Sequence, residues 1–399
     1  MDAKIEAGGP EIGLMTRRFY SFLGVQSFLI GLFPFYIPVY LYTAGFSLAQ
    51  ITRFIAATGL GFCISLYVWD RISKRVSLRS LIVFSFLSEI VLLTGFFFEK
   101  NMSFVLISGC FNGVFNCCFW IPQRLLFIDI ITPQNSGQKF GNFQIFVLLV
   151  LKMGILTGGI LLERSGYLPV YSLSAGIVIL VSVLFFQPKI KMELDKEIES
   201  ADPMNLKRVA GYKDRFHSKV VFAIDGVFLY LESYFWVISL FLIVRQSYWK
   251  LGALVIFLAL VFGTIFVMIK NTIDRLPANI MYSAAVCLYG LSWALRSALS
   301  EKLNMVLLFC LLAIITFCTS IFRLAFNKRF FDIAKTTKAH EYIFVKSYFS
   351  QFFLVVFALA GFHLLKAGNP VEQLSFIYLA AALISFCYLF YTPGKKYDH

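Results

Sequence analysis

Long apolar runs, separated by short polar loops, account for most of the 399-residue chain. Each run holds about 20 residues, the length an α-helix needs to cross a hydrocarbon core of about 30 Å. Backbone groups in hydrocarbon must find hydrogen-bond partners within their own segment, so the runs are predicted to be helices. Twelve runs are found, beginning near Phe19, Ile51, Leu81, Phe104, Phe140, Leu168, Val220, Leu251, Ile280, Leu303, Tyr342 and Leu374.

The composition supports an all-α membrane protein. Apolar residues make up 59% of the chain and the mean hydropathy is +0.77, too apolar for a soluble protein of this length. The eight cysteines lie in or beside apolar runs without metal-ligand spacing, and the four histidines are scattered. No metal site is therefore predicted. There is also no nucleotide-binding loop and no catalytic pattern of serine with histidine, so we expect neither an enzyme nor a cofactor.

The basic residues are distributed unequally between the two sides of the membrane. Of the 36 lysines and arginines, 27 fall on one side and eight on the other, with Arg296 counted among the latter as a loop residue; Lys152 lies inside a run. The positive-inside rule then predicts that both termini are cytoplasmic, in the inner membrane of a cell. This placement accounts for the net charge of +14 without a nucleic-acid partner.

The longest polar stretch divides the twelve runs into six and six. We expect a cytoplasmic tail at 1–18, a six-helix half at 19–186, a cytoplasmic linker at 187–219, a second six-helix half at 220–391 and a tail at 392–399.

Two short patterns recur in both halves. Asp70-Arg71 follows the second run and Asp274-Arg275 the eighth, with the aspartates 204 residues apart; Asp129 and Asp332 follow the fourth and tenth runs, 203 apart. Two patterns that recur after almost the same number of residues favour duplication of a six-helix unit.

The loop after the second run resembles a signature of the major facilitator superfamily, G-x-x-x-D-R-x-G-R/K-R/K. Its charged positions are present as Asp70, Arg71, Lys74 and Arg75, whereas both glycines are replaced, the first by Leu66. The resemblance implies a transporter whose halves rock about a central site. It also implies that Asp70, Arg71 and Arg75 form contacts at a cytoplasmic gate, and because the pattern recurs we include Asp274 and Arg275.

Two other patterns of the superfamily are incomplete. The antiporter pattern G-P-x-x-G-G of the fifth run reads Gly154-Ile155 and onward to Gly159, without the proline, and Gly109 stands where an arginine is usual in the fourth run. These departures favour uptake over export, and the small residues permit close helix packing.

Ionisable residues deep in the runs mark candidate sites, because charge in a bilayer core is costly. Lys152 and Glu232 each lie about 12 residues into a run, near mid-membrane. Lys152, in the fifth run, is predicted to contact substrate because of its depth. The resemblance implies that helices 1, 4, 7 and 10 line the cavity, so Glu232, in the seventh run, is predicted to contact substrate and is the leading proton-coupling candidate. Asp225 is a second proton-coupling candidate, or else a solvated gate residue or a charge that interacts with a helix N-terminus.

One face of the fourth run is polar. Asn112, Asn116 and Gln123 recur at helical spacing beside Trp120 and Arg124, and together with Arg323 of the tenth run they are predicted to contact substrate. Weaker candidates are Gln26, Gln144, Gln351 and Lys346, the last of which is expected to extend to the interface.

These residues predict a secondary transporter that moves a small organic solute, amphipathic or anionic, by alternating access. A siderophore would fit that description. We expect proton coupling, contact with membrane lipid and a monomer. The alternatives are a proton-driven drug or metabolite exporter, and a non-transporting receptor or assembly factor on the same scaffold.

Overall fold

The computed structural model describes residues 9–72, 75–76, 78–98, 101–130, 136–185, 203–273, 278–299, 303–365 and 368–391. Within these ranges every regular element is helical. The membrane-length segments are numbered α1 to α12. They are α1 (Gly9–Leu32, continuing through Pro34–Tyr36 and Ile37–Thr43), α2 (Leu48–Ile72), α3 (Leu78–Gly95 and Phe96–Phe98), α4 (Met102–Ile130), α5 (Ser136–Ser165), α6 (Tyr167–Phe185), α7 (Ser218–Tyr230, Leu231–Phe235 and Trp236–Ile243), α8 (Tyr248–Ile273), α9 (Ala278–Ser297), α10 (Met305–Thr336), α11 (Ala339–Leu364) and α12 (Pro370–Ile384 and Ser385–Phe390).

The predicted multi-pass helical fold is confirmed. Ten of the segments in the described ranges are long and apolar enough to cross a membrane. The other two, α8 and α9, occupy the remaining positions of the predicted order, which agrees with twelve spans. A short linker helix, Leu206–Gly211, lies between α6 and α7 and is capped by the Asn205 side chain.

Helix packing repeats after six helices. In the first half α1 packs on α5 and α3 on α4, and in the second half α7 packs on α11 and α9 on α10. Between the halves, α2 packs against α11 and α5 against α8. These contacts define a central cavity between the halves and two ends of the bundle. The end that holds Asp70 and the linker helix is called the linker face, and the end that holds Glu163 and Tyr248 is called the far face.

Small residues bring the α1 and α5 backbones together. A Cβ added to Gly154 would overlap the carbonyl oxygen of Phe28, and one added to Gly158 would overlap that of Leu32. The glycines of the incomplete antiporter pattern therefore serve helix contact, since only glycine lets the backbones approach so closely. On α7, Gly226 meets Ser350 of α11 in the same way.

Glycine substitution tests this packing. We expect Gly158→Ala to lower the thermal midpoint of the purified protein by several degrees, because α1 and α5 must separate. Gly176→Ala on α6 is the matched control, since nothing lies within 4 Å of an added Cβ there. Equal midpoints for the two variants, measured by intrinsic fluorescence, would show that the close approach is not needed.

Candidate functional site

A cavity of about 440 Å³ lies between the two halves. Its walls come from α1, α2, α4 and α5 on one side and from α7, α10 and α11 on the other. The polar lining is formed by Asn112, Asn116, Gln123, Arg124, Asp225, Tyr230, Ser233, Tyr234, Arg323, Asn327, Lys346, Ser347, Ser350 and Gln351. The cavity is therefore bounded by charged and amide groups at the depth of the membrane spans.

Asp225 stands at the centre of a buried charge network in the second half. Its side chain is fully buried, and it accepts from Arg323 Nη1 at 2.7 Å and from Lys346 Nζ at 2.7 Å. The Tyr388 hydroxyl donates to the same carboxylate at 3.1 Å. Two cations hold this carboxylate, which is neither in solvent nor at a helix N-terminus. The expectation of a solvated gate residue is therefore wrong.

Lys346 was expected to extend to the interface and does not. Its side chain is only 5% exposed, and it lies within α11 against Asp225. Pairing explains the difference, because Asp225 is fully buried and a buried carboxylate without a cationic partner would be strongly destabilising.

Arg323 joins the two acidic residues of α7. Besides Asp225, it donates from Nε to Glu232 at 3.0 Å, and its Nη2 lies 3.3 Å from the Tyr289 hydroxyl. That hydroxyl in turn donates to Glu232 at 2.6 Å. The two carboxylates lie seven residues apart on the same face of α7, so one guanidinium can reach both.

Glu232 lies within a π-helical turn, Leu231–Phe235, that interrupts α7. Such turns are rare and occur frequently at functional sites. The Glu232 carboxylate lies against Arg323 and Tyr289 rather than among the cavity-lining side chains, with its side chain 18% exposed. It is thus the less enclosed of the two acids.

The polar face of α4 forms the opposite wall. Asn112 donates to Thr58 and, across the cavity, to the Tyr234 hydroxyl at 3.2 Å. Asn116 donates to Asn112 and accepts from Trp120 Nε1 at 3.0 Å. All five residues of the predicted stripe, including Gln123 and Arg124, line the cavity.

Arg124 adds a positive charge to this wall. Its Nη1 lies 3.4 Å from Ser347 Oγ of the second half, and within the described ranges it has no ion pair. Among the described side chains of the cavity and its network, three cations (Arg124, Arg323 and Lys346) face two carboxylates (Asp225 and Glu232). The site therefore has a surplus of one positive charge.

The remaining deep candidates lie elsewhere. Lys152 is half-buried on α5 beside Leu151, which lines the cavity, and among described residues it has no ion-pair partner. The structure does not bring it together with Glu232. Gln351 lines the cavity, Gln26 is fully buried outside it, and the side chain of Gln144 lies outside the described set.

At the linker face, Asp70 connects the halves. It is buried, accepts from the backbone N–H of Met204 at 2.5 Å and lies 3.6 Å from His340 of α11. Arg71 is exposed and folds back on Tyr67 of its own helix, and Arg75 is exposed. Asp274 and Arg275 lie outside the described residues, as does the Asp129 side chain. The linker itself is fastened to α11 by Arg208 and Glu341 at 2.9 Å.

At the far face, Glu163 at the end of α5 takes the corresponding role. It accepts from Ser247 Oγ at 3.1 Å and from the backbone N–H of Tyr248 at 2.8 Å, so it caps the N-terminus of α8 from the other half. The Tyr248 hydroxyl also bonds Thr43 Oγ1 at 2.7 Å. Sequence reasoning missed Glu163; its place in the loop after the fifth run was the only signal.

Two buried ionisable residues were also missed. Arg296, counted above with the loops, is instead in the last turn of α9, 3% exposed. Its guanidinium lies 4.0 Å from the Trp293 ring and 4.8 Å from that of Trp236, and donates to Thr319. Glu89 of α3 is fully buried, and neither carboxylate oxygen has a hydrogen-bond partner in the described structure. An acidic residue in mid-run was the signal for Glu89.

Within the described ranges there is no group of three or more histidine, cysteine, aspartate or glutamate side chains that could hold a metal ion. The side chains that line the cavity offer hydrogen bonding and ion pairing.

Comparison with solved structures places the fold among membrane transporters. A mutant form of the nucleoside transporter NupG has a TM-score of 0.70 at 13% identity, covering 93% of this chain and 98% of that chain. The Escherichia coli fucose:proton symporter FucP, also a variant, has a TM-score of 0.59 at 14% identity, covering 94% and 96%. At these identities the likeness shows the fold alone.

Family membership rests on the sequence itself. No curated protein matches the chain. The sequence profile of the Major Facilitator Superfamily matches residues 19–345, and the protein therefore belongs to this superfamily of membrane transporters.

Proposed function

We propose that the protein is a secondary transporter that takes up a small organic anion of amphipathic character by alternating access, coupled to protons. The observation that carries this proposal is the cavity between the halves: together with the ion pairs attached to it, its charged groups have a surplus of one cation. The charge asymmetry of the loops supports an inner-membrane location with the linker face toward the cytoplasm.

The substrate class follows from charge and surroundings. Arg124 and Arg323 reach the cavity from opposite halves, and guanidinium groups bind carboxylates and phosphates with directed, charge-assisted bonds. The aromatic side chains Trp120, Tyr230 and Tyr234 provide apolar contact beside them. An anion with an apolar portion could bind the arginines through its charge and contact the aromatic side chains through its apolar part.

Coupling to protons follows from the position of Arg323. Its Nε is occupied by Glu232, while the residue also lines the cavity. Protonation of Glu232 would weaken this pair and free the guanidinium for an incoming anion, so proton and anion would bind together. Asp225, held by two cations, would stay ionised and keep Arg323 in place. The fold is shared with a fucose:proton symporter, which supports such coupling.

Transport itself is tested by counterflow. Proteoliposomes preloaded with an organic anion found by ligand-stabilisation screening should accumulate the labelled anion transiently. Arg124→Gln should raise KM about tenfold or more, because one charge-assisted contact is lost. The exposed Lys250→Gln at the far face is the control and should behave as wild type. A purified protein that binds the anion without any counterflow would indicate a receptor instead.

The coupling role of Glu232 is tested by Glu232→Gln. The amide keeps the shape of the protonated acid but cannot release a proton. We therefore expect pH-driven accumulation to be lost while exchange at equal pH is retained. Glu372→Gln, an exposed residue in the first turn of α12, serves as the control. Undiminished pH-driven accumulation in the Glu232 variant would remove this residue from the coupling mechanism.

The two inter-half carboxylates should have opposite effects on conformation. Asp70→Asn weakens the contact with His340 and should increase the population open at the linker face, slowing turnover. Glu163→Gln weakens the cap on α8 and should increase the population open at the far face. Distances between spin labels placed across each face report both populations. Identical distance distributions in wild type and both variants would reduce these contacts to anchoring.

A further inference from the structure

A second cavity lies beside the central one, on the other side of α7. It has a volume of about 360 Å³ and is enclosed by α2, α7, α11 and α12. Its lining is almost wholly hydrocarbon and aromatic, with Leu354, Ala358, Ala381 and Phe228 among the contributing residues. We call it the apolar side cavity.

The apolar side cavity reaches the lipid-facing surface. Two of its lining residues, Leu364 of α11 and Phe376 of α12, are 79% and 70% exposed, and both belong to membrane-length segments. Its mouth therefore opens on the outer side of the bundle, between the last turn of α11 and the second turn of α12, where a hydrocarbon chain can enter from the lipid.

Tyr230 lines both cavities. Its ring stacks on Tyr234, with centroids 5.2 Å apart, and its hydroxyl forms no hydrogen bond to another described residue. The π-helical turn begins at the next residue, Leu231. Where the two cavities adjoin, the half-buried ring of Tyr230 therefore lies between them, next to an irregular helical turn.

On the linker-face side of Tyr230, α11 packs closely against α7 and α2. A Cβ on Gly226 would overlap the Ser350 carbonyl, and one on Gly59 would crowd Val355. These contacts lie on the linker-face side of Tyr230, the residue that lines both cavities.

We propose that the transported anion carries a hydrocarbon tail, and that this tail lies in the apolar side cavity while its charged group binds Arg124 and Arg323. The assignment rests on the proposed function and refines its substrate class to single-chain anionic amphiphiles. Rotation of the Tyr230 ring joins the two cavities, so that head and tail enter from the bilayer side. A bulk lipid would explain the apolar lining, but it would have no reason to adjoin a cationic site.

Chain-length dependence tests the proposal. The probes are n-alkyl carboxylates and n-alkyl phosphates of increasing length, measured for binding to the purified full-length protein in nanodiscs. Each added methylene should tighten binding about fourfold until the cavity is filled, as expected for burial of one CH₂. Comparison of variants in identical nanodiscs cancels partitioning of the probe into lipid.

Two variants fill the cavity from different helices. Ala380→Trp on α12 and Ala360→Trp on α11 should keep the affinity for the shortest probes and lose the dependence on chain length. A thermal midpoint close to that of the wild type establishes that a variant is folded. If Ala380→Trp does not fold, Ala360→Trp provides the same test. Tyr230→Ala should strengthen binding of long probes, whereas Tyr230→Phe should not.

These experiments distinguish failure of the tail assignment from failure of the proposed transport function. The tail assignment is overturned if affinity does not depend on chain length, or if it depends on chain length equally in the wild type and in the filled variants. In either case, binding of the short probes together with counterflow would leave the transporter proposal intact. Absence of binding by every probe overturns the assignment too, and counterflow with another anion then decides the proposed function separately.

Discussion

The guanidinium of Arg323 lies between two carboxylates of α7, and the second half of the protein is organised around it. Asp225 and Glu232 are seven residues apart, so α10 is bound to two successive levels of α7. Tyr289 brings in α9, and Lys346 brings in α11. Removing one member of such a buried ionic group leaves an uncompensated charge, at a cost of about 3–5 kcal/mol. The network thus fixes the shape of one cavity wall.

The first half supplies a different kind of wall. Its polar groups are mainly amides of α4 that bond one another in sequence from Asn112 through Asn116 to Trp120. Among the described cations of the site, Arg124 is the one without an ion pair, and it accounts for the surplus positive charge. A balanced network on one side and an unpaired cation on the other leave room for an anionic ligand between them, since such a ligand would complete the balance.

Among the described residues, one carboxylate at each face accepts hydrogen bonds that join the halves. Asp70 acts at the linker face and Glu163 at the far face, each accepting a backbone N–H from beyond its own half. The Asn112–Tyr234 bond lies between them. Because these contacts are hydrogen bonds at opposite ends of the bundle, one set can break while the other holds, as rocking of two rigid halves requires.

Much of this architecture could be predicted from the sequence. Span positions follow from run length, and the packing role of Gly154 and Gly158 follows from small-residue spacing. The ion pairs between helices were harder to predict, because which residues face each other depends on the rotation of each helix about its own axis in the bundle. Lys346 lay near a helix end, where extension to the interface and pairing with Asp225 were both possible. Arg296 lay so close to a predicted boundary that burial between two tryptophans could not be foreseen, and a π-helical turn has no sequence signature.

In the proposed mechanism, substrate replaces Glu232 at Arg323, and Glu232 takes up a proton in the process. Calorimetry of the first organic anion that stabilises the purified protein, repeated in buffers of different ionisation enthalpy, counts the protons bound with it. One proton per anion in the wild type, and none in Glu232→Gln, is the predicted result. Binding without proton uptake in the wild type, or the same uptake in both proteins, would contradict it.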